Sequence, residues 1–317
     1  MPTVLITGGT GMIGTALSRL LLQQGYDVII LSRNPIETAS ASKATSLQNS
    51  FRPSGNIFYA RWDTEKMFID PQALAQADYI VHLAGEGVAK KRWTKKRKEE
   101  IKKSRTTSSE LLVKSLSSQP NKVKAVISAS AIGWYGSDTG TPFKETDPVS
   151  MDFLGETCKA WEESIEQVSS LGKRLVKFRL GLALSNEGGA LVEFKRPVRF
   201  GIAAILGSGN QIYSWIHIDD LCRAFLHAIE TPALEGVYNL VAPQPVSNRE
   251  MVLGIAHAMN GKMFLPFRVP SFLLKWILGE MSVEVLKSAT VDASKIQASG
   301  FNFIYSNIKS AMRHLIG

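Results

Sequence analysis

The sequence predicts an α/β fold: a doubly wound parallel sheet with a smaller, mixed α/β lobe at its C-terminal end. Three observations carry that expectation. Short apolar runs alternate with helical stretches through the first ~180 residues, the pattern of βαβ units rather than of hairpins. The first run, Val4-Leu5-Ile6, enters a helix through the glycine-rich turn Gly8-Gly9-Thr10-Gly11-Met12-Ile13-Gly14. The chain has 317 residues, 44% of them hydrophobic, more than one typical domain and ample for a core.

The elements follow in order. A helix from Met12 to Gln24 is stopped by Gly25, and Val28-Ile29-Ile30-Leu31 forms the second strand. Residues 38 to 56, rich in Ser, Ala and Asn, have no apolar period and read as a loop. The third strand is Ile57-Phe58-Tyr59, followed by a helix over Pro71 to Gln76, and the fourth strand is Tyr79-Ile80-Val81-His82-Leu83. A helix that begins in a basic stretch runs to about Ser118 and leads to the fifth strand, Ala125-Val126-Ile127-Ser128. A helix from Phe153 to Val168 precedes the sixth strand, Leu175-Val176-Lys177-Phe178. Beyond it come Trp215-Ile216-His217-Ile218, a helix from Asp219 to Ile229 capped by Asp219 and Asp220, and a short strand at Val237-Tyr238. Helices near 247–259, 271–278 and 308–316 close the chain. The expected division is a dinucleotide-binding domain over 1–181, to which Trp215 to Leu240 returns, and a covering lobe over 182–317 with its own segment at 262–317.

Composition excludes several classes. No run approaches the ~18 apolar residues of a membrane span, and the first residues already form a strand rather than a signal peptide. Two cysteines, Cys158 and Cys222, make neither a disulfide framework nor a metal spacing, so a cytoplasmic protein without metal is expected. Of the net charge of +9, Lys90 to Arg105 alone carry +8. Only Trp93 interleaves that stretch, so it reads as a solvated helix face turned partly toward an anionic cofactor rather than as a nucleic-acid site. The run Phe272 to Leu278 reads as core or as a contact between two copies, not as membrane surface; a homodimer and a small-molecule substrate are the expected partners.

A strand that turns on glycines into a helix is a dinucleotide site: backbone approaches the pyrophosphate, and the helix N-terminus faces its charge. At the end of the second strand stands Ser32-Arg33, with no acidic residue before Glu37. A guanidinium can grip a 2′-phosphate that a carboxylate would repel, so NADP is the expected cofactor.

The pieces Thr7 to Gly14, His82-Leu83-Ala84-Gly85 and Trp215-Ile216-His217-Ile218-Asp219-Asp220 resemble the extended short-chain dehydrogenase/reductase superfamily, whose members act mainly as epimerases, dehydratases and reductases. More closely, the chain resembles an atypical nucleotide-sugar-epimerase-like branch. That likeness rests on Leu83-Ala84-Gly85-Glu86 with Arg92-Trp93, Ser128-Ala129-Ser130-Ala131 with Trp134-Tyr135-Gly136, Phe264-Leu265-Pro266 and Gly279-Glu280-Met281. The resemblance implies a Rossmann sheet and a cofactor lying against Gly8, Gly11, Met12, Ile13, Gly14, Ser32, Arg33, Asp63, Leu83, Ala84, Gly85, Glu100, Arg105 and Leu182. Asp63 reads equally as an adenine contact or as a loop cap, and Arg105 as a partner of the cofactor or of Glu100.

The chain departs from the superfamily at its proton donor. The usual Tyr-x-x-x-Lys pair falls at Leu154 and Cys158, while Lys159 is offset by one residue and Tyr305 to Lys309 matches by chance. Ser130 and Tyr135, with Ser128, remain for proton transfer, in a cleft bordered by Ser130, Tyr135 and Trp215. His217 reads as a structural histidine rather than a base. The leading expectation is an NADP-dependent oxidoreductase or epimerase acting on a hydroxylated, in some cases nucleotide-linked, metabolite. An NADPH sensor with little turnover is the alternative, and nucleic-acid binding through Lys90 to Lys103 is the third.

Overall fold

The computed structural model describes residues 1–35 and 54–317, so most of the polar loop expected over 38–56 lies outside the described residues. The first seven strands are β1 (Thr3–Thr7), β2 (Asp27–Ser32), β3 (Ile57–Asp63), β4 (Phe68–Ile69), β5 (Tyr79–His82), β6 (Ala125–Ala131) and β7 (Arg174–Leu180). Among the described residues, four helices accompany them: α1 (Met12–Gln23), α2 (Pro71–Gln76), α3 (Lys95–Ser118) and α4 (Phe153–Ser170). Beyond residue 181 come β8 (Leu182–Ser185), β9 (Gly188–Gly189), α5 (Ala190–Val198), β10 (Ile202–Leu206), β11 (Ile212–Tyr213), β12 (Trp215–His217), α6 (Ile218–Glu230) and β13 (Gly236–Leu240). The last elements are β14 (Val246–Ser247), α7 (Asn248–Asn260), β15 (Leu265–Val269), α8 (Ser271–Leu278), α9 (Ser282–Leu286), α10 (Ser294–Ala298) and α11 (Ile308–Ile316).

The central sheet has the order β13-β7-β6-β5-β1-β2-β3-β4 and is parallel except for β4. Strand side chains alternate between two cores. Val4, Ile6 and Val81 pack with Leu17 and Leu21 of α1 and Phe225 of α6, whereas Leu5, Ile80 and Val126 pack with Leu74, Leu112 and Ile165 of α2, α3 and α4. A parallel sheet covered on both faces needs such continuously apolar strands, which is why they were visible as runs. Strand order reverses between β1 and β5, and the crevice at their carboxyl ends is where open α/β sheets bind ligands.

The remaining strands form small sheets, β12-β8-β9, β10-β15 and β11-β14. The segment after β13 is tied back by buried polar groups. Asp220 accepts from the N–H of Ile304 (2.9 Å) and Tyr305 (2.8 Å) and from Arg223 (2.8 Å). This corrects the expectation that Asp219 and Asp220 cap α6: the cap is His217, whose Nδ1 accepts from the Asp219 N–H at 3.0 Å. The helix expected at 271–278 forms with those bounds, but only Leu274 of it is buried, so it is not core.

Candidate active site at the carboxyl edge of the sheet

The turn after β1 is packed so closely that only glycine fits. A Cβ on Gly14 would lie 2.5 Å from the Gly8 carbonyl oxygen and from Gly9 Cα. Gly8, at φ 69°, is in the left-handed region, and a Cβ there would meet the Leu83 carbonyl at 2.8 Å. The helix that follows has no side-chain cap. Gly11 stands at its N-cap, and the first N–H to reach back is that of Thr15, bonded to the Gly11 carbonyl at 2.8 Å. The N–H groups of Met12, Ile13 and Gly14 therefore lack an intrahelical acceptor and form a positive cradle. An anionic pyrophosphate fits this cradle without any charged side chain.

A buried latch holds the cradle against the end of β5. Thr7 Oγ1 accepts from the N–H of Leu83 and of Ala84, both at 3.2 Å, and lies 2.7 Å from His82 Nδ1. Burial pushes His82 down to about 3, so its ring is neutral. With Nδ1 accepting from Thr7, the Nε2 proton points to Ser109 Oγ at 3.1 Å. Every polar atom of the latch is thus satisfied, and the two loops that meet at the switch point are held in register.

The other expected cofactor residues surround this edge with distinct roles. Ser32 ends β2 beside Arg61 of β3, and Arg33 is exposed just beyond, near enough to Glu86 to help hold its carboxyl low. The larger cause at Glu86 is its hydrogen bond from Arg97. Asp63 Oδ1 accepts from the N–H of Glu65 (3.0 Å) and Lys66 (3.1 Å), the loop-cap arrangement. Glu100 pairs with buried Arg97 at 3.0 Å rather than with Arg105; Arg97 also grips Glu86 at 3.1 Å and the Gly87 carbonyl at 2.8 Å. Arg105 lies across Gly85, where a Cβ would meet its Cγ and Cζ at 3.2 Å, and over the Trp161 ring at 5.0 Å. Burial lowers its pKa, and the one hydrogen bond of its guanidinium among the described residues goes to its own helix, at the Ile101 carbonyl. Leu182 opens β8, and the β8–β9 turn brings Gly189 against Met12, so this hairpin closes over the start of α1.

The groups expected to move protons are placed differently. Ser130 and Tyr135 are 2% and 0% exposed. Ser130 Oγ donates to Glu162 Oε1 at 2.7 Å, and the same carboxylate receives Arg179 Nε (2.8 Å) and Nη2 (3.1 Å). Arg179 Nη1 donates to the Tyr135 hydroxyl at 3.0 Å, and that hydroxyl donates to Asn239 Oδ1 at 2.6 Å. Burial pushes Tyr135 up to about 12 against the pull of Arg179. Ser128 is buried as well, and Trp215, fully buried, donates its indole N–H to the Gln244 carbonyl. Ser130, Tyr135 and Trp215, expected to border a cleft, are all buried, the first two within one polar network. Leu154 and Cys158, expected at the superfamily's tyrosine and lysine positions, both face Gly133. Burial pushes the Cys158 thiol up to about 12, so it is a protonated, apolar neighbour. Lys159 points outward to Glu163.

The latch and the Arg97 clamp escaped the sequence reading for different reasons. Thr7 and His82 stand inside quoted motifs, but their pairing across 75 residues is a property of the sheet. Arg97 carried no signal, being one cation in a basic run.

The model of the NAD dependent epimerase/dehydratase family matches residues 4–153 and 200–240. The chain belongs to that family. A further model, a domain of unknown function (DUF1731), matches residues 269–315. An epimerase family protein of Staphylococcus saprophyticus is 36% identical over the whole of both chains, and one from Staphylococcus aureus is 37% identical over 100% of this chain and 99% of its own. Among solved structures, the human epimerase family protein SDR39U1 with NADPH superposes with a TM-score of 0.83 at 27% identity, covering 99% of each chain. The nucleoside-diphosphate sugar epimerase of Corynebacterium glutamicum gives 0.74 at 30% identity, over 100% of this chain and 59% of that one. These relatives agree with an α/β fold built on a Rossmann sheet and with an NAD(P)-dependent, epimerase-like protein. No helix among the described residues is long and apolar enough to cross a membrane.

Proposed function

We propose that the chain binds NADP(H) at the switch point and acts as an oxidoreductase or epimerase on a hydroxylated small molecule, nucleotide-linked sugars included. The observation that carries this reading is the glycine cradle with three free N–H groups at the start of α1, latched to Leu83-Ala84 by Thr7 and His82. The bound nicotinamide would supply hydride transfer. The chain's residues bind and orient: the Met12, Ile13 and Gly14 amides hold the pyrophosphate, and Ser32 with Arg33 holds the 2′-phosphate. Arg105, desolvated and without an ion pair among the described residues, offers a cation at the mouth of β5 to an anionic or carbonyl oxygen. The human neighbour holds NADPH, which supports the choice of cofactor.

A specific observation favours a second reading, an NADPH-binding regulator with little turnover: Ser130 and Tyr135 are engaged in the buried network, Leu154 has no proton to give, and burial makes the Cys158 thiol a weak acid. One experiment separates the two. Purified protein is titrated with NADPH and NADH, then incubated with NADP+ and a panel of sugar nucleotides deuterated at their carbinol carbons. Tighter binding of NADPH, with deuterium passed to the cofactor or a carbinol centre inverted, supports the enzyme. Tighter NADPH binding with neither change gives the regulator, and equal affinity for both cofactors overturns the NADP assignment.

A further inference from the structure

The segment that follows α7 turns apolar side chains outward. On α8, Phe272, Trp276 and Ile277 are 74%, 75% and 50% exposed, and on β15 Leu265 and Phe267 share one face and are 67% and 53% exposed. Scattered apolar residues on a surface need no account, but a single short segment carrying five of them marks a face that something covers.

The same face is joined to the basic stretch. The Arg92 guanidinium donates to the Trp276 carbonyl at 3.1 Å and lies against Gly279, where a Cβ would meet its Nη2 at 3.2 Å. Lys98 forms an ion pair with Glu280 just beyond α8. Lys90, Lys91, Lys95 and Lys96 are exposed in this stretch. One corner of the molecule therefore presents a helix with outward Trp, Phe and Ile beside a cluster of solvated cations. Against the expectation that the run from Phe272 is core or a contact between copies, and because its aromatic side chains face solvent beside these cations, we infer that this corner docks on an anionic phospholipid surface. In that pose α8 lies in the headgroup boundary with Phe272, Trp276 and Ile277 toward the acyl chains, and the lysines rest on the lipid phosphates.

Charge decides between the occupants. A second copy that covered α8 by two-fold pairing would bring two strongly basic stretches together, which costs energy instead of gaining it. Single-stranded nucleic acid would use the cations and stack on Trp276 and Phe272, but it leaves Ile277 and Leu265 unused. An anionic bilayer uses both the cations and the aliphatic groups. Contact is peripheral, since no described helix can cross the membrane.

The test is flotation of the full chain with vesicles of phosphatidylcholine alone or mixed with phosphatidylglycerol. Binding is expected to be at least about tenfold tighter to the anionic vesicles and to weaken as salt is raised. The double variant F272S/W276S should lose about tenfold in vesicle affinity, and the triple variant K91E/K95E/K96E should lose the preference for phosphatidylglycerol. Both variants change exposed positions, and an unchanged melting temperature shows that they are folded. Absence of flotation, or equal binding to neutral vesicles, overturns the inference. So does sedimentation that shows a dimer abolished by W276S without any vesicle binding, which assigns the face to a second copy. Retention of the chain by an oligonucleotide in preference to vesicles overturns it in favour of nucleic acid.

Discussion

Gly14 is the position where the cradle tolerates least change. An added methyl would sit 2.5 Å from backbone atoms of Gly8 and Gly9 that cannot swing aside. G14A should weaken NADPH binding by at least about tenfold and lower the melting temperature, read by titration and by thermal unfolding. Arg33 is the opposite case, exposed and dispensable for the fold. R33E should weaken NADPH by roughly tenfold to a hundredfold, leave NADH nearly unchanged and leave the melting temperature where it was. The glycine turn and the place of Arg33 just beyond a strand end were legible in the sequence because both are local features. The environment of Ser130 and Tyr135 was not. Their neighbours Glu162, Arg179 and Asn239 lie between 17 and 104 residues from the groups they bond. S130A and Y135F should therefore act mainly on stability, each by ~1–3 kcal/mol through the partner left unpaired, as urea unfolding would measure.

At the scale of elements, β1, β2, β3, β5, β6 and β7 and their helices were visible because apolar runs alternate there with helical stretches. β4, β8 to β11, β14 and β15 were not, being two to five residues long and paired by tertiary contacts rather than by pattern. The helix α8 shows the limit of periodicity: it foretold a helix with the right bounds but could not say that the apolar face would meet solvent. The join between β1 and β5 carries a pH dependence. The ring of His82 titrates near 3 when folded, against about 6.5 in an unfolded chain. As pH falls the unfolded state takes up the proton first, so the stability due to neutral His82 is complete above pH 6.5 and is lost between 6.5 and about 3. The slope from this group is at most ~1.4 kcal/mol per pH unit, and burial gives His217 a shift in the same direction. Unfolding free energies measured from pH 7 to pH 4.5 should fall steadily, and H82N should flatten that fall while lowering stability at pH 7.

Over the whole molecule, the C-terminal segment is bound to the sheet by polar anchors rather than resting on it. Asp138 receives the Thr290 hydroxyl at 3.0 Å, and Asn239 in β13 donates to the Asp292 carbonyl at 3.2 Å. The strongest anchor is Lys287, whose ammonium, 7% exposed, donates to the Tyr135 carbonyl (3.1 Å) and pairs with Asp152 and Glu284, both at 3.1 Å. Asp152 is also the N-cap of α4, receiving the Gly155 N–H at 2.8 Å. One lysine thus joins the last segment to the helix that carries Leu154 and Cys158 and to the loop after β6. Removing it leaves two carboxylates facing each other without their cation, a cost of ~3–5 kcal/mol for a buried pair that loses one partner. K287M should therefore lower the melting temperature by several degrees. If the anchor joins one cooperative unit, calorimetry will show a single transition in both proteins, moved upward by NADPH in each by ligand linkage. Two separated transitions in K287M, only one of them responding to NADPH, would instead mean that the C-terminal segment folds apart from the cofactor domain.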